Sequence, residues 1–239
     1  MRRRILCLDT EEALQTLPAT GYFSVEERRL ILADAEIRTF QPGETIFSAK
    51  DSGATHLVKA GLAKLVTDTN PGFFSGATID FYYPGEFIFD GAAGARYVSA
   101  IALAKDTSTY VVTNEAMGRA ARALPGLWDK FTLNLYGEVE RSRLRLVSQL
   151  DLSVRGRLCA FLMELVQNPT LTQPASDVIV IPCDKMELAS YLFTANTVLS
   201  RAFKDLETSQ LIKRMGRSRV KVLNLAGVQD MAGHLAPAS

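Results

Sequence analysis

The chain has 239 residues, 47% of them hydrophobic and 22% charged, and its 27 Lys and Arg against 26 Asp and Glu give a net charge of +1. That apolar content with almost no net charge excludes a mainly disordered chain and allows one large domain or two small ones. Cys7, Cys159 and Cys183 are odd in number and far apart, which excludes a disulfide scaffold and fits a reducing cytoplasm.

The opening MRRRILCLD is basic, but Asp9, Glu11 and Glu12 interrupt any signal-like apolar stretch. No apolar run approaches the roughly 18 residues of a membrane span. Residues 23–35, FSVEERRLILADA, predict a short helix, with Ser24 as its cap and Glu27 three residues on, as in a capping box. From 36 to about 115 the pattern changes to short apolar or alternating runs: IRTF, TIF, HLVKAG, LAKLVTD and TIDFYY. Gly43, Gly53, Gly61, Gly72 and Gly85 fall at the breaks between them. Several short strands between Gly- and Pro-marked turns predict a sandwich or barrel. His56, in THLVKAG, falls on one of these strands and reads as a satisfied structural histidine.

From Pro125 the period is helical. Trp128, Phe131, Leu135, Val139, Ser142, Leu146 and Gln149 are spaced by three and four, a mostly apolar seam along one long helix. A seam of this length predicts packing against a partner helix. LDLSVRG at 150–156 is a break, and RGRLCAFLMELVQN is a second helix with Cys159 on its apolar face. Residues 169–177 read as a loop and DVIVIP at 177–182 as a short strand.

Charge is uneven along the chain. Residues 1–150 carry 17 basic and 18 acidic side chains, whereas residues 151–227 carry 10 and 7. Between 196 and 224 there are 7 basic side chains against only Asp205 and Glu207. A basic segment in a neutral chain is the footprint expected of a nucleic-acid contact.

The segment DKMELASYLFTANTVLSRAFKDLET at 184–208 supplies the pattern that goes with that charge. Asp184 caps a short helix in which Leu188 and Leu192 share one face. Phe193, Thr194 and Ala195 form a break without the usual glycine. A second helix turns Leu199, Ala202, Phe203 and Leu206 inward and presents Asn196, Thr197, Ser200, Arg201 and Lys204 on its other face. Two helices joined in this way predict a helix-turn-helix whose second helix enters a major groove. Asn pairs with adenine, Arg with guanine, Ser or Thr with either, and Lys with phosphate. QLIKRMGRSRVKVLN at 210–224 then reads as two short strands around an MGRS turn, a β-wing with Lys213, Arg214, Arg217 and Arg219 at its tip.

The order of these parts resembles the Crp–Fnr family of bacterial transcription regulators over roughly residues 20–225. The match is most specific in RGRLCAFLMEL, MELASYL…TVLSRAFKDLE, QLIKRMGRSRVKVLN, QPGETIF, KAGLAKL and YPGEFI. The resemblance implies an α+β protein in three parts. An N-terminal jelly-roll β-barrel, a cyclic-nucleotide-binding-like effector domain, occupies 20–124. A long dimerisation helix occupies 125–150, and a C-terminal winged helix-turn-helix DNA-binding domain occupies 151–227. It also implies a cytoplasmic homodimer on a palindromic operator in double-stranded DNA, with RNA polymerase as protein partner and no enzyme activity.

Two departures from the family pattern qualify this expectation. The family's Arg-Glu-Thr run before Ser-Arg is replaced by Asn196, Thr197, Val198 and Leu199, so the operator half-site should differ. In the effector domain, Gly85, Glu86, Asp90, Arg96, Tyr97 and Ser99 are the pocket candidates, with Ser142 and Arg143 where the family contacts the nucleotide base. The phosphate-binding Arg position falls on Val98, which argues against cyclic AMP and leaves the effector unknown. No cofactor or metal is expected: Cys7 alone cannot supply an iron–sulfur cluster, and His56 and His234 are the only histidines. An enzyme would need a triad, a P-loop or a metal-ligand spacing, and the chain offers none. The remaining alternative is a small-molecule-binding protein with a vestigial DNA domain, but Asn196, Ser200, Arg201 and Lys204 retain a recognition face.

Overall fold

The computed structural model describes residues 23–48, 53–67, 76–89, 98–167, 172–173 and 177–233. Cys7, Gly72, Asp90, Arg96, Tyr97 and His234 lie outside the described residues. The chain divides into two compact units, residues 1–136 and 137–239.

In the first unit, helix α1 (Val25–Leu32) starts with the expected capping box: Glu27 N donates to Ser24 Oγ at 3.2 Å and Ser24 N donates to Glu27 Oε2 at 2.6 Å. Eight strands follow: β1 (Glu36–Phe40), β2 (Thr45–Phe47), β3 (Ala54–Ala60), β4 (Ala63–Thr67), β5 (Thr78–Tyr82), β6 (Phe87–Phe89), β7 (Val98–Ala102) and β8 (Thr107–Thr113). They pair antiparallel in two four-stranded sheets, ordered β1-β8-β3-β6 and β2-β7-β4-β5. That order is the jelly roll. The β3–β4 turn shows why glycine is required there. Gly61 has φ 81°, and a Cβ on it would lie 2.5 Å from Thr107 Oγ1.

One core cluster of the unit gathers Ile46, Phe47, Val58, Tyr82 and Ile88 with small Ala63, Ala100 and Ala102. His56 is buried, stacked on Phe47 at 5.8 Å, with Nδ1 3.3 Å from Thr109 Oγ1. It is a satisfied structural histidine, as expected.

The other core cluster holds a difference from the sequence pattern. Helix α2 (Asn114–Ala123) follows β8 directly, where the pattern predicts no helix before Pro125. Thr113 caps it, accepting from Ala116 N at 3.1 Å. Its buried face is Ala116, Met117 and Ala120, too small a set of side chains to stand out as an apolar stripe. Helix α3 (Leu127–Asp151) is the expected long helix. Its Phe131 does not belong to an exposed seam. It is buried with its ring 5.1 Å from Phe23 and 5.7 Å from Phe87, inside the core of the first unit. The expectation that Phe131 waits for a partner helix is therefore corrected. Leu135, Val139 and Leu146 are exposed as expected.

In the second unit, α4 (Val154–Gln167) buries Leu158, Cys159, Phe161, Leu162 and Leu165. Burial pushes the Cys159 thiol up to about 12, which makes it an inert core residue. A four-stranded sheet, ordered β11-β12-β10-β9, is built from β9 (Thr172–Gln173), β10 (Val178–Val180), β11 (Ile212–Arg214) and β12 (Arg219–Val222). The short β9 lies in what the sequence reads as a continuous loop. Between β10 and β11 come α5 (Lys185–Tyr191) and α6 (Asn196–Thr208). A last helix, α7 (Leu225–Ala232), is also absent from the sequence pattern. Asn224 caps it, and it buries Val228 and Ala232. The approach of α4 and α7 is close at Gly156, where a Cβ would meet Met231 O at 3.1 Å.

Candidate nucleic-acid interface

The helix pair α5–α6 is fixed by local chemistry. Asp184 and Glu187 close a second capping box on α5: Glu187 N donates to Asp184 Oδ1 at 2.8 Å and Asp184 N donates to Glu187 Oε2 at 3.2 Å. The tight turn after it places Phe193 at φ 49°, the left-handed position a glycine would suit. Arg157 from α4 holds that turn, donating from Nη2 to Phe193 O at 3.5 Å. Helix α6 then buries Leu199, Ala202, Phe203 and Leu206, the face the spacing predicts. Its N-cap is Ala195, which has no side chain to cap the first backbone N–H groups.

The outer face of α6 carries Asn196, Thr197, Arg201 and Lys204, all exposed. Thr197, Arg201 and Lys204 stand in line at spacings of four and three. Ser200 is half-buried and differently employed. Its hydroxyl donates to Asn196 O at 2.7 Å and accepts from Lys185 Nζ. Lys185 is not among the residues the sequence points to, and only its position directly after the cap of α5 could have signalled it.

Beside α6, β11 and β12 form the wing, with residues 215–218 between them. Arg217 and Arg219 are exposed there, as is Lys213 on β11. Arg214 is not at the wing's tip. It folds back on α6, donating from Nε and Nη2 to Glu207 Oε2 at 2.9 and 2.7 Å, and its guanidinium lies 5.7 Å from the Phe203 ring centroid. The same contact holds the Glu207 carboxyl below the usual carboxylate range. Lys213 pairs across the strands with Lys221. Two like charges directly opposite destabilise a bare hairpin, and an anion between them relieves that repulsion. Lys221 is thus a further cation of this surface, readable in sequence only once the register is known.

Of the effector-domain candidates in the barrel, Gly85, Glu86 and Ser99 are among the described residues. Gly85, at φ 93°, donates its N–H to Val58 O at 2.8 Å in the β5–β6 turn. Glu86 turns its carboxylate to Tyr83 N at 2.9 Å. Ser99 is buried on β7 next to half-buried Val98. In the second unit, Ser142 accepts from Arg145 Nη2 at 3.3 Å, and Arg143 pairs with Glu140 at 2.6 Å; both are exposed on α3.

A pair of helices joined by a tight turn, a basic outer face and a wing define a winged helix-turn-helix, and the double sheet before them is a jelly roll. Residues 156–231 match the profile of the Crp-like helix-turn-helix domain. The chain is 25% identical to the transcriptional regulatory protein btr of Bordetella pertussis over 193 residues, 80% of this chain and 78% of that one. It is also 25% identical to the nitrogen fixation regulation protein FixK of Bradyrhizobium diazoefficiens, over 81% of this chain and 80% of that one. The fold is shared with FixK2 from Bradyrhizobium japonicum at a TM-score of 0.71 and 19% identity, covering 86% of this chain and 98% of that one. Residues 156–231 are thus a Crp-like helix-turn-helix domain, and over about 80% of its length the chain is similar to regulatory proteins. Among the described residues, no helix is long and apolar enough to cross a membrane.

Proposed function

We propose that the protein acts as a homodimer on a palindromic operator, with α6 of each protomer in the major groove and the wing on the flanking backbone. The observation that carries this reading is the line of exposed polar and cationic side chains on α6 beside the cationic wing. In this reading Asn196, Thr197 and Arg201 meet base edges. Ser200 joins them when Lys185 yields its hydroxyl, and Lys204, Lys213, Arg217 and Arg219 meet phosphates. The uncapped N–H groups at Ala195 favour a phosphate at the start of α6. RNA polymerase is the further partner. The exposed side chains Leu135, Val139 and Leu146 support pairing of α3 with its counterpart.

The test separates the two groups of residues. Arg201→Ala is expected to cost about 1–3 kcal/mol on the operator and to relax discrimination at one base position of each half-site. Arg217→Ala is expected to weaken all duplexes alike and to lower the salt slope by about one for each phosphate no longer neutralised. Titrations on operator and random duplex at several salt concentrations measure both. If Arg201→Ala weakens both duplexes equally while Arg217→Ala changes base preference, the placement of α6 is wrong.

An effector in the barrel, if it gates this binding, is not cyclic AMP. Val98 offers no cation for a phosphate, and Glu86 is committed to the Tyr83 turn. Calorimetry with cyclic AMP is expected to show no heat of binding at micromolar concentrations, and a micromolar affinity would overturn this part of the reading.

A further inference from the structure

A cleft of about 210 Å³ opens in the second unit between α3, α4 and α5. Its apolar lining comes from Leu144, Ala160, Phe161 and Leu192 and from the ring of Tyr191, which meets Phe161 edge-on at 5.4 Å. Its charged lining is Arg141, Arg145 and Arg157 against one carboxylate, Glu164.

That carboxylate is already engaged. Tyr191 Oη donates to Glu164 Oε2 at 3.2 Å, and Arg145 Nη1 donates to Tyr191 Oη at 3.5 Å. Arg157 is in the opposite position. Nη1 donates to Gln149 O and Leu152 O, both at 3.2 Å, and Nη2 donates to Phe193 O. All three acceptors are neutral carbonyls, and Nε is buried with no hydrogen-bond partner. A half-buried guanidinium without a carboxylate is costly unless an anion joins it. The burial lowers the affinity of Arg157 for its proton, which an anion would reverse.

Of the α3 residues that line the cleft, only Gln149 belongs to the seam. At about 100° per residue, Arg141, Arg145 and Ser148 sit roughly 130° around α3 from Leu135, Val139 and Leu146. Pairing of α3 through Leu135, Val139 and Leu146 leaves Arg141, Arg145 and Ser148 facing away from the partner helix.

We propose that this cleft binds a small organic anion with an aromatic or apolar body, the body against Phe161 and Leu144 and the charge against Arg157 and its neighbours. Charge complementarity chooses the occupant: an apolar floor lined by cations favours an anion over a neutral or cationic ligand of the same shape. Arg157 ties Gln149 O in the last turn of α3 and Leu152 O just after it to the turn of the helix-turn-helix, so occupancy bears on how α6 is held. That consequence rests on the DNA-binding reading above, whereas the binding itself does not.

The test is a titration of the full chain with 8-anilinonaphthalene-1-sulfonate, followed by fluorescence, with calorimetry for stoichiometry. One molecule per chain is expected. Ala160→Trp, which fills the cleft, and Ser148→Glu, which adds a carboxylate to its wall, should each weaken binding about tenfold or more. The uncharged N-phenyl-1-naphthylamine should also bind about tenfold more weakly or worse. Thermal midpoints establish that the variants are folded, and should Ala160→Trp fail to fold, Ser148→Glu decides. The proposal is overturned by wild-type affinity in a folded variant, by equal binding of the uncharged compound, by several weak sites per chain, or by no binding at all. Because no DNA enters the assay, its failure leaves the regulator reading standing.

Discussion

Two arginines three residues apart show how the structure assigns work that composition cannot. Arg214 and Arg217 both belong to the basic segment, yet Arg214 is bound to Glu207 and Phe203 while Arg217 is exposed. The difference depends on where the wing lies against α6, which no residue count contains. Glu207 has a counterpart in Glu27, whose carboxyl is lowered chiefly by its hydrogen bond from Lys130 Nζ at 2.6 Å. Both carboxylates have folded values below their unfolded one of about 4.3. Their stabilisation is therefore complete above that value and is lost as pH falls towards and through the folded values. Acidification below about pH 4.5 should lower the thermal midpoint of the wild type more steeply than that of a Glu27→Gln/Glu207→Gln variant. Each carboxylate has a partly exposed cation as its partner, so the difference should be small and reduced by salt. Identical pH profiles for the two proteins would show that these pairs contribute nothing.

Helix α3 carries two kinds of apolar residue at one spacing. Leu127 and Phe131 are buried in their own unit, whereas Leu135, Val139 and Leu146 are exposed. Periodicity makes the helix legible but not this division, because Phe131 is claimed by Phe23 and Phe87, which are remote in sequence. The helix-turn-helix is legible for the converse reason: the cap of its first helix, its spacings of three and four and its basic face all lie within 184–224. Helices α2 and α7 are not, since their buried faces are only two Ala with one Met in the first and one Val with one Ala in the second. The two kinds of residue should fail differently. Phe131→Asp should unfold the first unit, at a cost beyond the about 3–5 kcal/mol of a buried Phe→Ala change. Leu135→Asp should alter the stability of the fold by only about 0.5 kcal/mol and abolish self-association. Sedimentation with chemical denaturation distinguishes them. A wild-type chain that is monomeric at micromolar concentration removes the dimer, and a stable Phe131→Asp variant contradicts its place in the core.

Across the whole chain the charges nearly cancel, so DNA affinity must come from where the cations stand rather than from how many there are. If Lys204, Lys213, Arg217 and Arg219 each neutralise one phosphate, a protomer releases about four counterions and a dimer about eight. The logarithm of affinity should then fall against the logarithm of salt with a slope near −7 for the dimer and about −3.6 for a single protomer, at about 0.9 per neutralised phosphate. A Leu135→Asp/Leu146→Asp variant changes no cation and no residue of the second unit's DNA-facing surface. Its slope on a full operator should nevertheless be about half that of the wild type, because only one protomer is held at a time. This separates a failure to dimerise from a missing phosphate partner, since Arg217→Ala in an intact dimer should lower the slope by only about two. A monomeric variant that keeps the full wild-type slope would mean that the α3 seam does not bring the second protomer to the operator.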